Sequence, residues 1–213
     1  MTIDLTGINN ENEFFTHHYL TAILEGDLKD LFKEWNRRES EENIKTPYSE
    51  LRSLASGCFR DRGRLEKERV LSEKLVIQRE ILQQVLSVLG YEFNLKFVET
   101  DDNVVLPVIG EIIKQNGAPV LWIIEAFNEQ DEEVDLLSLS LSETQYTGPE
   151  NDCPDLTKEN FETIISRNVF GRSEPPRWVI LADQSQLLLL DRAKWNQKRL
   201  LRFDLNEILG RRE

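Results

Sequence analysis

Two glutamates occupy positions from which they could bind one metal ion together. Glu111 lies near the end of one predicted strand and Glu125 near the end of the next. Acids on adjacent strands can share Mg²⁺, which prefers oxygen ligands, and a lysine two residues beyond the second acid would position or activate a water for hydrolysis. Phe127 occupies that position. The pattern therefore predicts a magnesium site that lacks its expected lysine.

Two other charged residues could complete such a site. Lys114 follows the first of these strands and could approach from the turn, although three residues from Glu111 an ideal strand directs it to the opposite face. Glu80 lies on the preceding helix and could supply a third carboxylate. The alternative for Glu80 is a solvated acid on a charged helix, and for Glu111 and Glu125 a solvated carboxylate at a sheet edge.

The elements that must position these residues follow from the spacing of apolar side chains. Residues 65–89 have helical periodicity and end at Gly90, a residue suited to a left-handed C-cap. Residues 91–98, 104–113 and 118–127 then read as three strands. The segment KQNG before Ala118 predicts a hairpin turn, with Asn116 and Gly117 supplying positive φ angles.

The C-terminal third predicts the rest of a sheet. A helix is expected at 157–168, capped by Asp155 or Thr157, and strands at 178–182 and 187–190. A short strand ends at Asp204, which should cap a final helix over 205–209.

The first sixty residues predict a helical arm. Apolar side chains recur at helical spacing, and a second helix is expected at 48–59, after Pro47. The apolar set of the first helix is Phe14, Phe15, Tyr19, Ile23, Leu24, Leu28, Leu31, Phe32 and Trp35. The expected fold is α/β, with a helical N-terminal arm over 1–60 and a core over 61–213 in which helices flank a central mixed sheet.

The order of these elements and motifs resembles the PD-(D/E)xK nuclease core. The resemblance rests on PVIGE at 107–111 and on APVLWIIEAF at 118–127, separated by the turn. It extends upstream to QRE at 78–80 and downstream to PPRWVILA at 175–182. The whole chain is similar to the N-terminal region of large bacterial restriction-modification proteins that carry an adenine-specific DNA methyltransferase domain further along.

This resemblance implies a restriction-endonuclease-like fold, a role in phage defence and, if the site is active, Mg²⁺-dependent hydrolysis of DNA phosphodiesters by a type II restriction endonuclease. Glu111 would match the first metal acid, Glu125 the second and Glu80 the helix acid, and the bound ion would be Mg²⁺. DNA and the methyltransferase domain of a longer polypeptide would be the partners. The alternative is a catalytically inactive scaffold that docks onto that domain through Phe14, Phe15 and Trp35, and Phe127 favours it.

Charge and composition limit the partners. The chain carries 39 acids and 26 bases, a net charge of −13, which opposes binding to phosphates. Residues 128–162 hold eleven acids and one base, so much of this charge lies in one segment. No run of 18 apolar residues and no signal-like N-terminus is present, so we expect a cytoplasmic protein without a membrane partner.

Other chemistries have little support. Cys58 and Cys153 lie far apart and outside any zinc-binding pattern, and reduced thiols are expected. The adjacent His17 and His18 point about 100° apart on a helix and cannot face one metal together. The glycines at 57 and 63 lack phosphate-loop spacing.

Overall fold

A mixed β-sheet forms the centre of the structure, a computed structural model that describes residues 4–101, 104–130, 134–146 and 155–210. The strands are β1 (Ile8–Glu11), β2 (Lys96–Glu99), β3 (Val105–Val108), β4 (Gly110–Ile113), β5 (Pro119–Glu125), β6 (Trp178–Ala182), β7 (Gln186–Asp191) and β8 (Leu200–Asp204). The helices are α1 (Leu24–Arg37), α2 (Pro47–Leu65), α3 (Leu71–Val88), α4 (Phe161–Ile164) and α5 (Leu205–Gly210).

Six strands pair in the order β1-β8-β7-β6-β5-β4, and β2 pairs with β3 in a separate two-stranded ladder. Only the pair β5 and β6 is parallel among these ladders. A parallel pair needs a long crossover connection, and here that connection contains α4. The expected α/β class with a central mixed sheet is confirmed.

Alternation along the strands gives the sheet two buried faces. One face, with Trp122 and Ile124 of β5, packs against α4 and the turn of π-helix that continues it, Ile165–Val169. The other face, with Leu121 and Ile123, packs against α2, α3 and α5. We call these the α4 face and the α3 face.

The predicted helix over 65–89 is two helices, because α2 continues to Leu65 and α3 begins at Leu71. The Glu68 carboxylate accepts hydrogen bonds from the main-chain N–H groups of Arg69 and Val70, at 2.8 and 2.9 Å. This local bonding offers the backbone an alternative to the helix. Gly90, with φ +83°, follows α3 in the left-handed conformation expected of it.

The predicted hairpin forms between β4 and β5. The Lys114 N–H donates to the Ala118 carbonyl at 2.8 Å, and Gly117 has φ +86°. Asn116 does not share the positive φ expected of it. The pairing also contains a bulge between Ile112 and Ile113, which the sequence did not indicate.

The N-terminal region differs from a wholly helical arm. Strand β1 pairs with β8 at the edge of the sheet, and α2 packs on the α3 face through Cys58. The expected boundary at residue 60 falls inside α2. A turn of π-helix at Tyr19–Ile23, α1 and a second such turn at Arg38–Glu42 contain no buried residue.

The C-terminal prediction is confirmed at β6, β7, β8 and α5. Asp204 caps α5 by accepting hydrogen bonds from the N–H groups of Asn206 and Glu207, at 2.8 and 3.1 Å. The helix expected over 157–168 begins instead at Phe161. A 3₁₀ turn at Asp155–Lys158 occupies the start of the predicted range. The cap of the helix is therefore Asn160, which accepts a hydrogen bond from the Thr163 N–H at 3.0 Å, and not Asp155 or Thr157. Cys153 lies outside the described residues.

Candidate functional site

The strand register separates the two glutamates predicted to share a metal ion. Glu111 lies directly opposite Trp122, so the two side chains share the α4 face. Glu125 comes three residues after Trp122 on β5 and therefore points to the α3 face, about 10 Å further along the strand. The predicted magnesium site at Glu111 and Glu125 is not assembled.

The bulge in the hairpin explains this outcome. Ile113 pairs with Pro119, but Ile112 pairs with Leu121, so Val120 is an extra residue in β5. Without it, Glu111 would lie opposite Leu121 and share the face of Glu125. A shift of one residue in register moves a side chain to the other face of a sheet.

The carboxylate of Glu125 is buried, with 1% of the residue exposed. Its Oε2 atom accepts from Nε of Arg79 at 2.9 Å and lies 2.9 Å from Nη2 of the same guanidinium. Its Oε1 atom accepts from the Gln78 side-chain amide at 3.2 Å. The Gln145 amide donates to the main-chain carbonyl of Glu125 at 2.9 Å and reaches Oε2 at 3.5 Å. Protein donors thus occupy both carboxylate oxygens.

The electrostatics of this cluster depend on burial. Removal from water raises the pKa of Glu125 above its ordinary value, and the charge and hydrogen bonds of Arg79, with the two amides, oppose that shift. An arriving cation would have to displace Arg79, whose side chain is only 17% exposed, and leave a guanidinium unpaired inside the protein. The arrangement suits a structural ion pair better than a metal ligand.

Glu111 forms a different ion pair on the α4 face. Its carboxylate binds the ammonium group of Lys96 on β2, and both side chains are partly exposed. The Lys96 ammonium group therefore already occupies an oxygen of the first predicted metal acid.

The other charged residues predicted for the site, Glu80 and Lys114, form no hydrogen bond or ion pair with Glu125. The Glu80 side chain is 50% exposed and forms an ion pair with Arg64 at 3.7 Å. Successive residues on a helix point about 100° apart, so Glu80 turns away from the sheet that Gln78 and Arg79 face. Lys114 is exposed in the hairpin. Phe127 is buried at 2% exposure. Within the described ranges, no three His, Cys, Asp or Glu side chains group as a metal ion requires.

Sequence reasoning missed the partners that close the Glu125 cluster. Gln78 and Arg79 belong to the QRE segment, in which the sequence prediction concerned only Glu80. Gln145 gave no signal, since it lies in a 3₁₀ turn, Glu143–Gln145, that a capping box with Ser142 stabilises.

The aromatic residues of the N-terminal region divide into two groups. Phe14 is buried, and Lys194 lies over the rings of Phe14 and Phe15, at 4.2 and 5.1 Å from their centroids. These phenylalanines therefore attach the arm to the core. Along α1, by contrast, Leu31 is 43% and Phe32 38% exposed, and Phe32 stacks edge to face with Trp35.

The apolar residues of α1, which are exposed or half-buried, form a continuous stripe, the arm face. Its members recur at three- and four-residue spacing on one side of the helix: Leu24, Leu28, Leu31, Phe32 and Trp35. An isolated helix of this length is marginal in water, and such a stripe ordinarily packs against another surface.

Comparison with known protein families found no family model that matches the chain, and comparisons with curated proteins and with solved structures found no match either. None of the helices in the described part of the chain combines the length and apolar character needed to span a bilayer.

Proposed function

We propose that this chain is a catalytically silent domain of a restriction-modification or phage-defence polypeptide, serving as a scaffold for an adenine-specific DNA methyltransferase domain. The observation that carries the proposal is that protein side chains already bind both carboxylate oxygens of Glu125. The residue that would be the second metal acid is buried and bound by Arg79, Gln78 and Gln145.

The position of Phe127 agrees with this reading. A lysine there would have to bring an ammonium group to the site, whereas Phe127 fills apolar space in the core. With Glu111 paired to Lys96 on the other face, neither acid is available to hold Mg²⁺. Magnesium-dependent cleavage of DNA would require the cluster to open and the β4 register to change.

The order of elements supports the kinship. A helix, α3, precedes the hairpin of β4 and β5, and a crossover containing α4 leads to the parallel strand β6. This order is the one that resembles the restriction-endonuclease-like core. In this proposal the domain keeps that scaffold without its chemistry, and the methyltransferase domain contacts DNA.

The arm face is the proposed docking surface, and its proposed occupant is the methyltransferase domain of the same polypeptide. Leu28, Leu31 and Phe32 can supply buried apolar contacts, which drive most stable associations. Phe14 and Phe15, expected from the sequence to dock a partner, are used within the chain and are not part of this surface.

The test uses the full-length polypeptide with the double substitution Leu28→Asp and Phe32→Asp, and Lys29→Asp as a control on the same helix. We expect the double variant to lose hydrogen-exchange protection of α1 and to lower DNA methylation, while the control changes neither. Unchanged protection in the double variant would contradict docking through the arm face. Protection that appears in the isolated chain and rises with its concentration would identify a second copy as the occupant instead.

The proposed absence of nuclease activity is tested separately, in a cleavage assay with supercoiled DNA and Mg²⁺. We expect neither the wild-type polypeptide nor its Glu125→Gln variant to cleave. Cleavage by the wild type that Glu125→Gln abolishes would overturn the scaffold proposal.

A further inference from the structure

Arg172 is a partly buried guanidinium for which the described residues provide no carboxylate. Its Nε and Nη1 atoms are buried without a hydrogen-bond acceptor. Arg79 pairs with Glu125, and Arg202 pairs with Glu11 and Asp135. Arg62 has no ion-pair partner in the described part of the chain either, but it donates to the Gln184 carbonyl and to the Asn206 side chain. Unlike these three arginines, Arg172 has no hydrogen-bond acceptor for its guanidinium among the described residues. Buried donors without acceptors are costly and call for a missing partner.

A second orphaned donor lies against the first. The guanidinium carbon of Arg172 is 4.8 Å from the centroid of the Trp122 ring, within cation–π range. Trp122 is 2% exposed, and its indole Nε1 also lacks an acceptor. Stacking on Trp122 holds the guanidinium in place without satisfying the N–H groups of either residue.

Two acids in the neighbouring segments are already engaged. Glu111, opposite Trp122, binds Lys96. Asp101 accepts from the Ser173 N–H at 2.6 Å and lies 3.4 Å from the Ser173 hydroxyl. Thr100, next to Asp101, is buried and its hydroxyl is unpartnered. The groups without partners are thus N–H or O–H groups that can donate hydrogen bonds. The acids Asp101 and Glu111 belong to the same region and already have partners.

The local backbone is constrained to present Arg172. A Cβ atom on Gly171 would lie 2.5 Å from the Arg167 carbonyl oxygen, so only glycine fits the turn that leads into Arg172. Gly171, Ser173 and Glu174 are exposed. Exposed residues therefore flank Arg172, which is itself partly exposed.

We propose that Arg172 and Trp122, with Thr100 at the edge, form a binding site for the carboxylate group of a small-molecule ligand. The Arg172 and Trp122 N–H groups can only donate and the Thr100 hydroxyl is able to donate, so the set fits a group made only of acceptors. A singly charged group is favoured over a doubly charged phosphate, because the neighbouring acids Asp101 and Glu111 repel additional negative charge. This site is independent of the scaffold function.

Acetate is the probe, titrated at constant ionic strength with chloride as the balancing anion. The readout is the ¹H–¹⁵N signals of the Trp122 indole and the Arg172 Nε–H, the former assigned among the four tryptophans with Trp122→Phe. We expect both signals to move along one saturable curve. Arg172→Gln should raise the acetate Kd at least ~10-fold, because charge-assisted hydrogen bonds are lost. Arg192→Gln, which removes an exposed arginine, should leave it unchanged.

Trp122→Phe keeps the stacked ring and loses the N–H, so it should raise the Kd by a smaller factor than Arg172→Gln. If that variant does not fold, Arg172→Lys takes its place and should also weaken binding. Signals that do not move with acetate, or that move equally in Arg172→Gln, overturn the site. Dimethyl phosphate, which carries the same single charge, should bind no tighter than acetate, and a Kd at least tenfold lower would overturn the carboxylate assignment.

Discussion

The Glu125 cluster and the arm face differ in how the polarity of their side chains matches their burial. Beneath α3, a charged group that ordinarily prefers water is buried with all the partners that it needs. On α1, apolar groups that ordinarily avoid water are not buried by the described chain, and Leu31 and Phe32 are exposed. The Glu125 carboxylate has its partners within the folded chain, whereas the arm face has none that buries it among the described residues. We therefore propose that the Glu125 cluster contributes stability and that the arm face contributes docking.

The largest expected effect comes from opening the cluster. Arg79→Met leaves the Glu125 carboxylate buried without its cation, and should lower the free energy of unfolding by about 3–5 kcal/mol. Adding Glu125→Gln to this variant should restore part of the loss, because an amide can still bond to Gln78 and Gln145. Denaturant unfolding of the single and double variants measures both. A single variant as stable as the wild type would show that the ion pair does not support the core.

A smaller effect is expected from pH. Burial raises the pKa of Glu125 and of Asp183, so both groups bind protons more tightly in the folded than in the unfolded chain. Stability from each is therefore fully present below its ordinary pKa and is lost as the pH rises through its raised value. Glu125→Gln carries a neutral group at every pH and should flatten this decline in the free energy of unfolding. An unchanged slope in the variant would place Glu125 outside the set of groups responsible.

The smallest expected effect on the isolated chain comes from the arm. Phe32→Asp should change its free energy of unfolding by less than about 0.5 kcal/mol, as is usual for surface sites. Ile81→Ala on the α3 face is the matched core control and should cost about 2–5 kcal/mol. If Phe32→Asp destabilises the isolated chain as much as Ile81→Ala, the arm face is already packed within the chain and is not a docking surface.

Local patterns predicted much of the fold. The hairpin before Ala118, the cap at Asp204 and strands β6 to β8 follow from turn chemistry and alternation, which act over a few residues. Strand β1 was missed because INNE carries a single apolar residue, and its pairing with β8 joins opposite ends of the chain.

The candidate site was predicted less well, for two physical reasons. The face on which Glu111 lies depends on a bulge with one extra residue, Val120. No residue type in this part of the sequence indicates that bulge. The bonds of Glu125 come from Arg79, 46 residues earlier, and Gln145, 20 residues later. Which long-range partner satisfies a buried charge is decided by packing and not by neighbouring sequence.

The most direct test of the central claim is metal binding by Glu125. Mn²⁺, a paramagnetic substitute for Mg²⁺, would be titrated into the ¹⁵N-labelled chain and its Glu111→Gln and Glu125→Gln variants. We predict no saturable broadening of signals at the end of β5 in the wild type. Saturable broadening there that disappears in both variants would show that the two acids share an ion, and would contradict the assignment of Glu125 as a structural carboxylate.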